Sequence, residues 1–461
     1  MVLQLWDRRT AVEAISRWFL VVIVFLIPWQ ARLILGPPAE LAISDYIIAS
    51  IFAVDILMLI AVFWYRPRLE WVSADKLSSP LLLIVYVIIT SFFTDDPLSA
   101  LWKLALIVLI SYFVLSLKQN SESTLLINAI ILSAVLQSLF GLWQVLMIYV
   151  PASKFLGMSE QTALRLGASV VETANGRWLR AYGTFSHPNM LGGFLSIALL
   201  FIVDKYFIIY ENFQQWWNKY GAGNKYLWRE ASVQKTAREI ALTLSAFVVV
   251  IVGLVATFSR SAILAVAAGF IVYWAIKYRA NRIRATILGA KLIAVVVAIL
   301  LVWQMFLPEL WQVRVTSSAR LEQRSVSERM QGYYDAWNIL KAYPLFGTGL
   351  QNYTIALVKL NPGHANYTYQ PVHNTFLLLF VELGIVGTVA IFIIARKKLK
   401  ELLYYLYSQA SPLTVAMFVL FIVLGLFDHY LWSLHGGLML WLLFTVVVNP
   451  LSVKASRALP R

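Results

Sequence analysis

Three clusters in this sequence have the residue types and spacing to hold a phosphate and accept a proton. The first is Arg180-Ala-Tyr-Gly-Thr-Phe-Ser-His-Pro-Asn189. Ser186 and Pro188 suit a helix start, and a helix start offers unpaired N–H groups and partial positive charge to an anion. Arg180 adds a permanently charged planar donor able to grip two phosphate oxygens. Tyr182, His187 and Asn189 stand beside it as candidate substrate-binding residues. The second cluster is Phe258-Ser259-Arg260-Ser261, between two apolar runs with almost no connector. An arginine fixed at the edge of hydrocarbon is costly without an anionic partner, and snorkelling to lipid headgroups is the alternative. The third is His373-Asn374, at the start of another apolar run. Histidine accepts protons near neutral pH; the plainer role for His373 is a helix cap.

The elements that must position these clusters are membrane helices. Of the 461 residues, 60% are hydrophobic and 13% charged, about half the charge density of a soluble domain. The runs 18–35, 41–64, 240–259 and 374–395 are long enough, or nearly so, to cross about 30 Å of hydrocarbon as helices. Spans are expected near 18–35, 41–64, 79–94, 98–117, 124–150, 188–210, 240–259, 261–278, 290–308, 374–395, 412–429 and 432–449. The fold class is thus all-α and polytopic, one integral-membrane domain over 1–461 with about twelve spans. The short alternating segments of a membrane β-barrel are absent. The N-terminal Arg8, Arg9 and Arg17 precede a first apolar run with no small-residue cleavage site, and it reads as an uncleaved first span.

Orientation follows from Lys and Arg. With both termini inside, the segments 1–17, 65–78, 118–123, 205–239, 277–291, 396–411 and 450–461 hold about two-thirds of the 38 Lys and Arg. The clusters Lys277/Arg279/Arg282/Arg284 and Arg396/Lys397/Lys398/Lys400 share a side only if an even number of spans separates them, and two do. The outer side then receives two long segments, 151–187 and 309–373, and all three chemical clusters. The second segment contains an amphipathic stretch, Val326 to Ala342, with Met330, Tyr333, Tyr334, Trp337 and Leu340 at helical spacing. It reads as a helix lying against the bundle or the membrane surface, with core packing the plainer role for those side chains, and Pro344 ends it.

The net charge of +15 does not signal nucleic-acid binding. The basic residues lie in short clusters between apolar runs, where anionic lipid would meet them, and no basic folded domain exists. The absence of cysteine excludes disulfides, thiolate nucleophiles and Cys-ligated zinc. Among polar residues inside spans are Asp45, Asp55, Lys103, Asp204 and Glu382. Asp55 and Lys103 are expected to pair, and Glu382 to cap or brace the tenth span. A transporter would place charged residues at mid-membrane in broken, repeated helices; here the charged candidates sit at the outer rim, and no internal repeat is visible.

Four motifs in order, Arg180…Gly183-Thr-Phe-Ser-His-Pro-Asn189, Ser259-Arg260-Ser261, Pro344-Leu-Phe-Gly-Thr-Gly and His373-Asn374…Glu382-Leu-Gly384, resemble the O-antigen ligase and O-antigen polymerase superfamily. The ten residues between His373 and Gly384 are similar to a His-x10-Gly pattern of that family. The resemblance implies a bacterial inner-membrane glycosyltransferase with a GT-C-like fold, needing no cofactor and no metal. It implies a donor glycan on undecaprenyl diphosphate, and a lipid A–core or other glycan as acceptor. Arg180 and Arg260 match arginines that hold the diphosphate, and His373 matches the base. Ser259 and Asn374 are further candidate substrate contacts. The chemistry agrees. Negative charge grows on the departing diphosphate, and fixed arginines stabilise it without a metal. With no second carboxylate as nucleophile, a single displacement with inversion at C1 is expected. A polymerase joining lipid-linked repeats, or a transporter of the same lipid, is the alternative.

Overall fold

The computed structural model describes residues 8–35, 46, 49–67, 74–220, 231–316, 320–408 and 411–447. Asp45 and the basic segment 450–461 lie outside the described residues. Five helices precede the first long outer segment: α1 (Arg8–Phe25), α2 (Ala53–Tyr65), α3 (Ala74–Ser91), α4 (Pro97–Asn120) and α5 (Ser123–Met147). Four follow it: α6 (Pro188–Tyr220), α7 (Ala231–Ala256), α8 (Arg260–Ala280) and α9 (Arg282–Phe306). The second outer segment holds α10 (Pro308–Thr316), α11 (Arg320–Ala342) and α12 (Tyr353–Leu360). The chain ends with α13 (Thr375–Ser408), α14 (Pro412–Phe427), the short α15 (Tyr430–Ser433) and α16 (His435–Val447). The helix starts follow from local chemistry. Asp96 accepts from Ser99 N at 3.1 Å ahead of Pro97, and Asn281 accepts from Arg284 N at 3.0 Å, so orphan N–H groups meet side-chain oxygens.

The protein is a membrane protein. Among the described residues seven helices are long and apolar enough to cross a bilayer: α4 to α9 and the first part of α13. Five shorter apolar helices, Ile15–Phe25, Ala53–Tyr65, Leu81–Ser91, Pro412–Phe427 and His435–Val446, fall where the other five spans are expected. At the centre runs α6, whose apolar window is 83% buried. Gly192 lets α6 and α8 approach closely: a Cβ there would stand 2.9 Å from those of Ala262 and Ser259. That contact sets the Ser259-Arg260 turn beside the start of α6.

Among the described residues the segments between helices add three two-stranded antiparallel ribbons to the helical body. They are β1 (Arg32–Ile34) with β2 (Ser50–Phe52), β3 (Tyr149–Val150) with β4 (Gln161–Thr162), and β5 (Val170–Thr173) with β6 (Gly176–Leu179). The β5–β6 hairpin joins the two long outer segments. Val171 packs with Phe258 of the α7–α8 turn and with Leu310 of α10, and Glu172 accepts from Arg320 of α11 at 3.2 Å. A separate core unites Ala336, Ile339 and Leu340 of α11 with Tyr353 and Leu357 of α12 and Leu378 and Val381 of α13.

Three sequence expectations are corrected here. On α11 only Leu340 of the named apolar set is buried; Met330, Tyr333, Tyr334 and Trp337 are exposed. The buried stripe is Asp335, Ala336, Ile339 and Leu340, one face further round, so large exposed residues mimic a core pattern. Asp55 does not pair with Lys103. It accepts from His435 Nε2 at 2.7 Å and from its own helix start at Phe52 N, while Lys103 donates to Trp432 O. Trp432 Nε1 in turn donates to Glu382 at 2.7 Å, so Glu382 does brace its helix.

The third correction is that the tenth span is broken. Gly384 has φ 65 and ψ −175 inside α13, and the strand-like break frees carbonyls that a neighbouring loop recovers. Thr348 N and Gly349 N donate to the carbonyls of Val381 and Glu382 at 3.1 and 2.9 Å. In return Ile385 N and Val386 N donate to Pro344 and Leu345, and Tyr86 Oη donates to Leu383 O at 2.7 Å. An added Cβ at Gly384 would run into the backbone of Gly347 and Leu345, on top of the positive φ that only glycine adopts freely. The Pro344-Leu-Phe-Gly-Thr-Gly motif and the Glu382-Leu-Gly384 motif are therefore two halves of one backbone joint.

Candidate active site

The segment 180–184 is an extended loop fixed from several sides. Gln144 of α5 is buried; its Oε1 accepts from Tyr182 N and Gly183 N at 3.0 and 2.9 Å, and its Nε2 donates to Gly183 O at 2.7 Å. Gln137 Oε1 accepts from Thr184 N at 2.9 Å, and Ala181 N donates to Ala256 O at 3.0 Å. These anchors place Arg180. Its Nε donates to Thr257 O at 2.7 Å and a terminal nitrogen donates to Asn189 Oδ1 at 2.6 Å. Arg180 thus reaches the α7–α8 turn three residues before Arg260, which is exposed at the start of α8. Ser259 caps that helix through Ala262 N, and Phe258 turns the chain with φ 50.

Asn189 carries the network onward, donating from Nδ2 to Asp428 Oδ2 at 2.7 Å. Asp428 sits in the break between α14 and α15, buried to within 3%. Its other oxygen lies 3.5 Å from His373 Nδ1, and among the described residues that buried nitrogen has no closer partner. The His373 and His429 rings stand 4.9 Å apart. His373 does not cap α13. Asn374 does, its Oδ1 accepting from Phe376 N and Leu377 N at 3.0 Å each, and Thr375 N and Oγ1 tie the same helix start to Asp428 O. His187 Nδ1 accepts from Asn189 N at 3.1 Å, so its Nε2 carries the proton toward Ser169 Oγ at 2.9 Å. Tyr182 is buried and accepts from Ser169 N through its hydroxyl at 2.6 Å.

Electrostatics separate the roles in this cluster. Burial alone would raise the Asp428 carboxyl, but the neighbouring His373, 3.5 Å away, together with His429 and His187 holds it well below the ordinary carboxylate range. His187 is pushed down to about 3, first by burial and then by Arg180. His429 is pushed down to about 3, by burial and then by His373. Both are neutral at working pH. Between pH 3 and the unfolded value near 6.5 these two histidines bind protons only in the unfolded chain. Their contribution to stability is therefore complete above about pH 6.5 and is lost as pH falls. The melting temperature in detergent is expected to drop from pH 6.5 to 4.5, and to drop less in the double variant His187→Asn, His429→Asn. An equal drop in both would show that other groups govern the acid loss.

Residues 245–392 match the family model described as O-antigen ligase. The match begins inside α7 and runs past Gly384 in α13, over Arg260, the second outer segment and His373. The match supports a place for the chain in the O-antigen ligase superfamily. No curated protein matches the chain. Three of the four motifs lie within the matched residues. Arg180, His187 and Asn189 lie before it, and Asp428 and His429 after it. The contacts from Arg180 to Asn189, to Asp428 and on to His373 join these flanking parts to the matched segment at one point.

Sequence reading missed Asp428 and Gln144. Asp428 stands at the end of an expected span, 239 residues from Asn189, and its only local signal is an Asp-His pair next to apolar sequence. Gln144 had none. His373, Asp428 and His429 also offer one ligand atom each within 4.8 Å of one another, a set that suits a divalent cation. One of those histidines is already used: His429 Nδ1 meets Ser433 Oγ at 2.6 Å.

Proposed function

We propose that this ligase-type membrane enzyme transfers a glycan from undecaprenyl diphosphate to a sugar hydroxyl of a lipid A–core acceptor. The reaction takes place on the outer face of the bacterial inner membrane, with both termini on the inner side. The reading is supported by the chain of contacts Arg180–Asn189–Asp428–His373, which links the arginine proposed to grip phosphate to the histidine proposed to accept a proton. Arg180 and Arg260 hold the diphosphate. His373 takes the proton of the acceptor hydroxyl on Nε2 while Asp428 orients Nδ1 and steadies the imidazolium that forms. The acceptor oxygen bonds to C1 as the bond from C1 to the diphosphate oxygen breaks, and that electron pair leaves with the diphosphate. The configuration at C1 inverts. Fixed guanidinium groups supply the charge stabilisation a metal would otherwise provide.

Deleting the gene separates the neighbouring readings. Loss of long glycan from the lipid A–core, with lipid-linked chains accumulating, is the expected phenotype. A surface glycan shortened to one repeat would overturn the ligase reading in favour of a polymerase.

A further inference from the structure

Beside the histidine cluster lies a cavity of about 180 Å³. A single water needs roughly 10–15 Å³ on that scale, so the space suits a small polar molecule. Its walls come mainly from the N-terminal half and from α16, outside the matched residues: Gln30, Phe52, Trp102, Tyr182, Ser433 and His435 among them. His435 stacks on Phe52 with ring centroids 3.7 Å apart. Its Nε2 donates to Asp55 at 2.7 Å, and Asp55 is held in turn by Phe52 N. That pairing fixes the tautomer, so His435 Nδ1 bears a lone pair. Among the described residues this nitrogen is buried and makes no hydrogen bond, and the same is true of Gln30 Nε2, a donor. Both side chains are more than nine-tenths buried. Leaving such groups unsatisfied in a buried site is costly, and an acceptor and a donor left over among the residues that line one cavity are what sugar hydroxyls complement.

The cavity meets the site on one side. Ser433, in its wall, bonds to His429, and the Tyr46 ring, also in its wall, lies 5.5 Å from His429. Arg180 meets the same cluster through Asn189, which donates to Asp428. In a displacement with inversion the incoming hydroxyl approaches opposite the departing diphosphate. We propose that the cavity is the acceptor subsite, taking one pyranose unit whose hydroxyls donate to His435 Nδ1 and accept from Gln30 Nε2. The assignment to the acceptor rests on the transfer reading above; the sugar site itself does not.

The test is steady-state transfer by the full-length protein in nanodiscs, comparing wild type with Gln30→Leu, which keeps bulk but loses the donor. Trp102→Leu, reaching the cavity from α4, is the second variant should the first not fold. Acceptor KM is expected to rise about tenfold, the loss of one good hydrogen bond, with donor KM and the rate at saturating acceptor nearly unchanged. A rise in donor KM instead would overturn the acceptor assignment, and no change in either variant would overturn the subsite. Saturation-transfer NMR with methyl glucoside, methyl galactoside and delipidated core oligosaccharide separates this from the transfer reading. Sugar contact seen in wild type and lost in Gln30→Leu upholds the subsite even in a protein that transfers nothing. Absence of contact with all three probes overturns it.

Discussion

His373→Asn is expected to lower turnover by about 100-fold to 10,000-fold, the range of general-base contributions. Asparagine is an informative replacement here. The cap of α13 is Asn374 and not His373, so the substitution leaves the helix start intact. An asparagine amide at position 373 keeps a polar N–H group beside Asp428, but it cannot accept a proton at neutral pH. Binding of the lipid-linked donor should survive, since Arg180 and Arg260 are assigned the diphosphate. Turnover close to wild type would strip His373 of its role and leave the reaction without a named base.

Arg260→Lys should lose most of the transfer activity while expression and membrane insertion stay normal. Lysine keeps the charge but not the planar fork that grips two phosphate oxygens. If Arg260 only reached lipid headgroups from its exposed place at the start of α8, lysine would serve equally well. Removing an electrostatic contact of this kind costs on the order of 100-fold to 1,000-fold in rate. Near-normal transfer by the lysine variant, assayed with lipid-linked donor, would sink the diphosphate role.

Much of this was legible in the sequence because a bilayer imposes simple rules. Apolar run lengths located the seven long helices, and Ser186 and Pro188 marked the start of α6; α7 and α9 begin at Ala231 and Arg282, ahead of the apolar runs at 240 and 290. The spacing of Gly347, Gly349 and Gly384 was visible as a pattern, but its cause was not. A backbone joint between two segments shows only when both are in place, and a helix that breaks at one glycine reads as continuous in an apolar run. The same holds for Asp428. Its importance lies in contacts with Asn189 and His373, each far away in sequence, whereas composition shows only a polar residue ending a span. The exposed aromatics of α11 misled for a different reason. Periodicity tells which residues share a face, and an exposed face rich in apolar residues looks like a face turned toward a core.

The most direct test reconstitutes the purified protein with an undecaprenyl-diphosphate-linked glycan, a lipid A–core acceptor and excess EDTA. Glycan should appear on the acceptor with inverted configuration at C1, one undecaprenyl diphosphate should be released per transfer, and His373→Asn should abolish both. The chelator matters because His373, Asp428 and His429 form a set that could hold a cation. Transfer that stops in EDTA and returns with zinc or magnesium would turn the His–Asp pair into metal ligands. Intact donor crossing the bilayer with no cleavage at C1 would contradict glycan transfer altogether.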